Sequence, residues 1–208
     1  MFHNIALLVL AMSCIEFFQK CWLTGWKKIL PHLVLEQQSA FVKDRLISNN
    51  IIVAFETLHY MGNHSSRETG YMTLKLNMSK AYDRVEWQYT GQLMKKMGFG
   101  DTWINSMMQC ISKATFLVLI NREPHGHIKP TRGLRQGDPL SPYLFLLCTE
   151  GFHWLLRKPK ENGDIRDVSI CRSAPKLTHL LFANDSLIFC REKINKCEKL
   201  LEILATYE

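Results

Sequence analysis

Between Tyr71 and Met78 apolar and polar residues alternate without a break, with Met72, Leu74, Leu76 and Met78 on one side and Tyr71, Thr73, Lys75 and Asn77 on the other. Successive side chains of a strand point to opposite faces, so this pattern predicts a half-buried strand. The strand ends on Asn77, and the turn after it carries Tyr82, Asp83 and Arg84. Polar groups collected at a strand end and in the following turn are well placed to build a site above a sheet. The remaining chain is read as scaffold for this stretch or as its partner.

Two other stretches qualify as partners. Leu177–Ala183 and Ser186–Cys190 read as strands separated only by Asn184 and Asp185, a two-residue hairpin whose tip residues tolerate left-handed backbone. In Arg132–Phe145, RGLRQGDPLSPYLF, Gly133 and Gly137 permit close backbone approach. Ser141 and Pro142 then supply a cap and a first-turn proline for a helix running to about Trp154. A loop-to-helix start of this kind leaves backbone N–H groups facing anionic ligands. Asp138 reads as a turn or cap residue.

Helical spacing fills much of the rest. Ile47–Met61 carries apolar residues at 47, 51, 54, 55 and 58, and Met61–Gly70 reads as a loop. Val85, Tyr89, Leu93 and Met97 recur every four residues before Gly98, which predicts an amphipathic helix. Thr90 and Gly91 sit in its middle, the glycine at a cost of up to about 1 kcal/mol relative to alanine. Asp101 is placed to cap a helix through Ser112 that buries Trp103, Met107, Met108 and Ile111. Thr115–Ile120 reads as a strand, NREPHGHIKP after it as turn-rich, and Ile165–Cys171 as a further strand. Ile194–Leu204 is an amphipathic helix with apolar residues at 194, 197, 200, 201 and 204. Pattern alone supports a mixed α/β class.

Composition sets bounds around this. With 208 residues and 47% apolar content the chain can bury one ordinary core, which argues against disorder. The 26 Lys and Arg against 19 Asp and Glu leave +7, a balance that favours polyanionic partners. The seven cysteines form no C-x-x-C pair, so they read as buried free thiols in a reducing, intracellular compartment, nuclear or cytoplasmic. The apolar run Ile5–Ile15 is too short to span a bilayer, and no membrane association is expected. It reads as a packed helix, with the apolar region of a signal peptide as the alternative.

The three stretches together are identified as the ordered motifs of a family. YMTLKLNMSKAYDRVEW at Tyr71–Trp87, RGLRQGDPLSPYLF, and LLFANDSLIFC at Leu180–Cys190 resemble the palm motifs of reverse transcriptases, in the form used by plant LINE-type, non-LTR retrotransposons. QSAFVKDRLISNN at Gln38–Asn50 resembles the family's fingers segment. The resemblance implies an α+β fold: a right-hand polymerase palm with partial fingers and an antiparallel sheet backed by helices, without a thumb. Residues 1–25 do not match, 26–191 correspond to fingers and palm, and 192–208 begin the connection towards a thumb. A palm lacking that grip is expected to hold duplex weakly.

By the same resemblance the partners are an RNA template, a DNA primer and deoxynucleoside triphosphates, with Mg²⁺ as cofactor. Aspartates normally stand at the positions of Asn77 and Asn184, where they bridge two metal ions, with Asp185 beside them as a third carboxylate. Tyr82 matches the aromatic under the sugar of the incoming nucleotide, or else it is a core tyrosine. Arg135, Gln136 and Gly137 match residues against nucleotide and template. Arg45 matches a family arginine near both, or else it is a surface arginine. Lys75 shares the face of Asn77 and either meets phosphate or is solvated. In the loop before Arg45 relatives carry Pro-Gly where this chain has Lys43-Asp44.

Nucleotide addition is an in-line displacement assisted by two metal ions, which hard carboxylate oxygens hold. An amide oxygen can ligate such a cation but brings no charge. Two asparagines therefore remove two negative charges from a centre that must gather roughly four positive ones. The expectation is a reverse transcriptase domain with impaired catalysis; the alternative is a non-catalytic nucleic-acid-binding or inert remnant. Both require the 184/185 hairpin to come within bridging reach of residue 77.

Overall fold

A computed structural model describes residues 25–64, 70–113, 115–120, 123–161, 167–171, 176–191 and 194–207. The run Ile5–Ile15 lies outside them. The chain divides into two compact units, Pro31–Ser79 with Thr149–Glu208, and Met1–Leu30 with Lys80–Cys148. The first carries a three-stranded sheet and is called the sheet unit; the second is mostly helical.

In the sheet unit, β1 (Tyr71–Asn77) pairs with β5 (Asp185–Arg191), which pairs with β4 (His179–Phe182), all antiparallel. Helices cover both faces. Met72, Leu74 and Leu76 of β1 and Ile188 and Cys190 of β5 pack with Phe152 and Leu156 of α5 (Ser141–Glu161) and with Leu200 and Ile203 of α6 (Ile194–Tyr207). On the opposite face Tyr71, Leu180 and Phe189 pack with Ala54 and Met61 of α2 (Ile47–His64). The predicted alternation of β1 therefore holds, and its second face is apolar at the Tyr71 end and exposed at Lys75 and Asn77. Among the described residues no helix is long and apolar enough to cross a membrane.

Helix α2 turns only part of its apolar spacing to the sheet. The side turned to the sheet is Ala54, Thr57 and Met61, while Ile51 is 59% and Phe55 70% exposed. Thr57 satisfies its hydroxyl within the helix, donating to the Val53 carbonyl at 2.6 Å, so it is buried without an orphaned polar group. Other boundaries also move. Helix α5 runs to Glu161, past the end expected at about Trp154 and through Pro159, and a helix α1 covers residues 25–33. The expected strand at Ile165–Cys171 is, within the described residues, a single bridge between Val168 and Leu177.

The helical unit holds the first part of α5, α3 (Trp87–Lys96), α4 (Asp101–Ser112), and the hairpin of β2 (Phe116–Ile120) and β3 (Glu123–Ile128). The segment read as turn-rich is therefore a strand over 123–128. Pro124 is tolerated because a two-stranded ribbon is all edge, and the shift of register between Phe116 and Val118 is taken up beside Gly126, at φ +68°. Gly100, not Asp101, caps α4; Asp101 lies in the first turn and pairs with Lys95 at 3.3 Å. Ile104 replaces Trp103 and Met108 on the fully buried face, and Trp103 instead stacks on Phe99 and lies tilted against Trp26.

Helix α3 buries Thr90 and Met94 rather than Tyr89, Leu93 and Met97. Thr90 is fully buried, with its hydroxyl 2.9 Å from the Glu86 carbonyl and 3.4 Å from Cys148 Sγ. Its presence mid-helix is thus a packing feature. Gly91 is not required: a Cβ there would meet only the Met108 side chain, at an ordinary 3.7 Å from Sδ and 4.0 Å from Cγ. Gly91→Ala is expected to stabilise the chain by up to about 1 kcal/mol, read as a higher urea midpoint with unchanged slope.

Candidate active site

The end of the β1–β5 ladder brings together the three residues expected at the metal positions. Asn77 pairs directly with Asp185, and Met78 N–H donates to the Asn184 carbonyl at 3.1 Å, carrying the ladder one step beyond the strand. Asn184 Nδ2 lies 3.4 Å from Asn77 Oδ1 and donates to it. The requirement that residue 77 and the hairpin tip come within reach is met. The tip itself is displaced by one residue from the sequence expectation: Phe182 pairs with Asp185, so the turn is Ala183-Asn184 and Asp185 is the first residue of β5.

Ala183 sits at φ +51°, a strained conformation for a residue with a Cβ. The strain is supported from outside the hairpin. Gln38, fully buried, accepts from Ala183 N–H at 3.2 Å and from Ala40 N–H at 3.0 Å through one amide oxygen. The main chain of 37–39 also pairs along the free edge of β4, with Leu181 N–H donating to the Gln37 carbonyl at 2.9 Å. Asn50 Nδ2 donates to the carbonyls of both Gln37 and Leu181. Gln38 and Asn50 are positioning residues that spacing did not reveal. Their one signal was membership of the fingers-like segment at 38–50.

Arg45 is engaged in the same region. Its two terminal nitrogens donate to the carbonyls of Gln38 at 2.8 Å, Val34 at 2.9 Å, Pro31 at 3.3 Å and Leu35. These N–H groups thus close the C-terminal end of α1 and the turn that follows it, where helical carbonyls lack partners and a positive charge is favoured. Next to it Asp44 adopts φ +63°, the left-handed conformation that glycine takes most easily at this loop position. Lys75 is exposed, on the Asn77 face.

Glu150 of α5 is 1% exposed and accepts from Leu35 N–H at 3.3 Å. Burial pushes its carboxyl up from 4.5 to about 7, against the lowering effects of that hydrogen bond and of Arg45. The folded chain then holds a proton that the unfolded chain has released. Stability from this group is full below about pH 4.5 and lost as pH rises through about 7. The expected loss is about 3 kcal/mol. Urea midpoints between pH 4.5 and 8 measure it, and Glu150→Gln should remove that slope.

The other predicted residues lie in the helical unit. Tyr82 opens a short 3₁₀ turn, Tyr82–Arg84, and its ring stacks on Phe145 at 5.0 Å between centroids. Burial raises its hydroxyl pKa. Its carbonyl accepts from Leu134 N–H at 2.8 Å, and the Val85 carbonyl from Gly133 N–H at 2.8 Å. These bonds bring the turn after the first motif against the start of the second. Arg135, Gln136 and Gly137 follow, all exposed, in the turn before α5. Asp138 acts as the turn residue expected, accepting from Leu140 N–H at 2.8 Å.

The donor set at the ladder end contains one carboxylate, Asp185, and two amides, one of which donates its N–H to the other. Among the described residues no group of three or more His, Cys, Asp or Glu is placed to hold a metal ion. Two bridged cations need more negative charge than one carboxylate supplies. These residues do not fit a two-metal centre.

A strand and a hairpin that place Asn77, Asn184 and Asp185 side by side, on a small antiparallel sheet backed by helices, define a polymerase-palm class of fold. The chain belongs to the reverse transcriptase (RNA-dependent DNA polymerase) family, whose model matches residues 19–207. It is 50% identical over 70 residues to an uncharacterised mitochondrial protein of Arabidopsis thaliana, covering 34% of this chain and 57% of the relative. It is 34% identical over 134 residues to the 149 kDa protein of transposon TX1 of Xenopus laevis, covering 64% and 10%. It is 25% identical over 130 residues to the Pol polyprotein of the type-1 retrotransposable element R2 of Popillia japonica, covering 62% and 20%. The fold is similar to a telomerase from Candida tropicalis, with TM-score 0.55 and 14% identity over 95% of this chain and 37% of that one. A telomerase from Candida albicans, in complex with a fragment of telomeric RNA, gives 0.53 and 13%, over 93% and 31%. The chain thus spans between about a tenth and just over half of these relatives. It is a reverse transcriptase domain of retrotransposon origin, of the non-LTR type, and the family generally uses divalent metal ions and an RNA template.

Proposed function

We propose that this domain has the architecture of an RNA-directed DNA polymerase and lacks its chemistry, because the two-metal centre does not assemble. The observation that carries the reading is the amide pair: Asn77 and Asn184 stand 3.4 Å apart beside Asp185, where the chemistry needs carboxylates. Tyr82 with Arg135, Gln136 and Gly137 is the set proposed to face the incoming deoxynucleotide and template, with primer and template held through phosphate. Lys75 is proposed to meet phosphate beside the centre. Arg45 is proposed to act on template and nucleotide indirectly, by fixing the loop at 38–45. The +7 charge supports residual phosphate binding.

The test is primer extension on an RNA template with Mg²⁺, comparing the unaltered chain with Asn77→Asp plus Asn184→Asp. Equal incorporation by the two would overturn the reading. Binding to an RNA–DNA hybrid at several salt concentrations separates a binding remnant from an inert one, since a log–log slope near zero excludes phosphate contacts.

A further inference from the structure

Helix α2 carries a second apolar stripe beside the face that covers the sheet. Ile47, Ile51, Phe55 and Leu58 lie in one row along the helix, at spacings of four, four and three residues, with Ile52 alongside and Leu46 just before it. All six are open to solvent, from 45% exposed at Leu58 to 70% at Phe55. At roughly 150 Å² for a fully exposed side chain of this size, they leave roughly 500 Å² of apolar surface in one patch. The largest apolar patch on a typical monomer is about 300–600 Å², and one towards the upper end marks an interface. Charge, area and shape then decide what covers it. Ile47–His64 contains no Lys, Arg or Asp and a single Glu, Glu56, so the helix brings no cation to a nucleic-acid phosphate or an anionic lipid surface. A homodimer interface of standard size takes about 800 Å² from each copy and is about 65% apolar, against about 57% for non-obligate interfaces. The stripe, completed by the exposed polar flank of Ser48, Asn49, Glu56, His59 and Asn63, has the extent and the apolar share of the former.

We propose that two copies of this chain pair through this face, α2 against α2 in antiparallel. The helix is about 27 Å long at about 1.5 Å per residue, and rows spaced by three and four residues let two helices run side by side along most of that length. The row continues to Gly62, which is exposed and where an added Cβ would meet nothing within 4 Å. With the two-fold axis near Phe55, Leu58 of one copy meets Ile51 of the other, and the bulk of Ile47 lies over the gap at Gly62. A parallel pair would instead set Ile47 against Ile47 and leave Gly62 facing Gly62. No charged side chain of this row has to be stripped of water, because the row contains none. The pairing does not depend on the state of the Asn77–Asp185 ladder end.

Sedimentation velocity and light scattering on the full chain, over about 1–100 µM, should show a dimer of twice the 24.2 kDa chain mass with a dissociation constant in the micromolar range or below. Phe55→Glu puts a better helix former at an exposed position, so the far-UV spectrum should be unchanged while the dissociation constant rises at least about a hundredfold. Because residue 55 lies near the two-fold axis, Phe55→Glu and Phe55→Lys chains, each monomeric alone, should associate when mixed. Leu201→Glu, at a 64% exposed position on α6, is the control and should leave the dimer intact. The proposal is overturned if the chain stays monomeric at about 100 µM, the face then belonging to another part of this chain or to a different protein. It is equally overturned if Phe55→Glu dimerises as the unaltered chain does, if Leu201→Glu disrupts the dimer to the same extent, or if the two mixed variants remain apart.

Discussion

Restoring both carboxylates, Asn77→Asp with Asn184→Asp, is expected to raise primer extension at least about a hundredfold, a gain of about 3 kcal/mol in transition-state stabilisation. The geometry for this exists already, because residue 77 faces residue 185 across the ladder and residue 184 reaches residue 77. The same change has a signature that needs no catalysis. Three carboxylates at this spacing repel, by about 1 kcal/mol per pair at about 5 Å in water and about 3 kcal/mol in a surface environment of lower effective dielectric. In EDTA the double variant should therefore melt below the unaltered chain, and millimolar Mg²⁺ should restore it. The unaltered chain, with one carboxylate, should not respond to Mg²⁺ at that concentration. A Mg²⁺-induced rise of equal size in both would show that the amides support a metal site after all.

Gly133→Ala is expected to cost about 3 kcal/mol, with the unfolding midpoint falling by about 6–12 °C. Two effects add. The residue sits at φ +90°, where a Cβ is unfavourable by about 1–2 kcal/mol. The added Cβ would also stand 3.1 Å from the Asp83 carbonyl oxygen, 3.2 Å from Asp83 Cα and 3.3 Å from the Tyr82 carbonyl oxygen, all main-chain atoms that cannot swing aside. Gly137 provides the control. Its φ is +84°, but a Cβ there meets nothing within 4 Å, so Gly137→Ala should cost only the backbone part. Equal losses in the two variants would mean that the approach of the Tyr82–Arg84 turn to Gly133 contributes nothing. A larger loss at 133 would confirm that this approach fixes Tyr82.

Much of the arrangement was legible beforehand because it rests on short-range rules. Alternation in Tyr71–Met78 located β1 to within one residue, and the apolar runs flanking Asn184-Asp185 located the β4–β5 hairpin. Which two residues form the tip was missed, since turn preference favours Asn-Asp over Ala-Asn. The choice is made by register with β1 and by Gln38, which holds Ala183 in place from a hundred and more residues away in sequence. Similarly, apolar spacing found α2 and α3 without settling which face of each is buried. A helix face is decided by what lies against it, and Thr57 and Thr90 are buried because their hydroxyls bond within their own helices.

The sequence by itself determined the chemistry of the expected site: of the three positions that the resemblance gives to metal, Asn77 and Asn184 lack a charge. Those are properties of side-chain chemistry, unaltered by folding. Tertiary structure alone decided that the two amides meet, that Arg45 is occupied with carbonyls at and beyond the end of α1, and that two histidines, 26 residues apart in sequence, are in hydrogen-bond contact. Each of these depends on pairing between distant segments, which the separate periodicities of those segments do not encode.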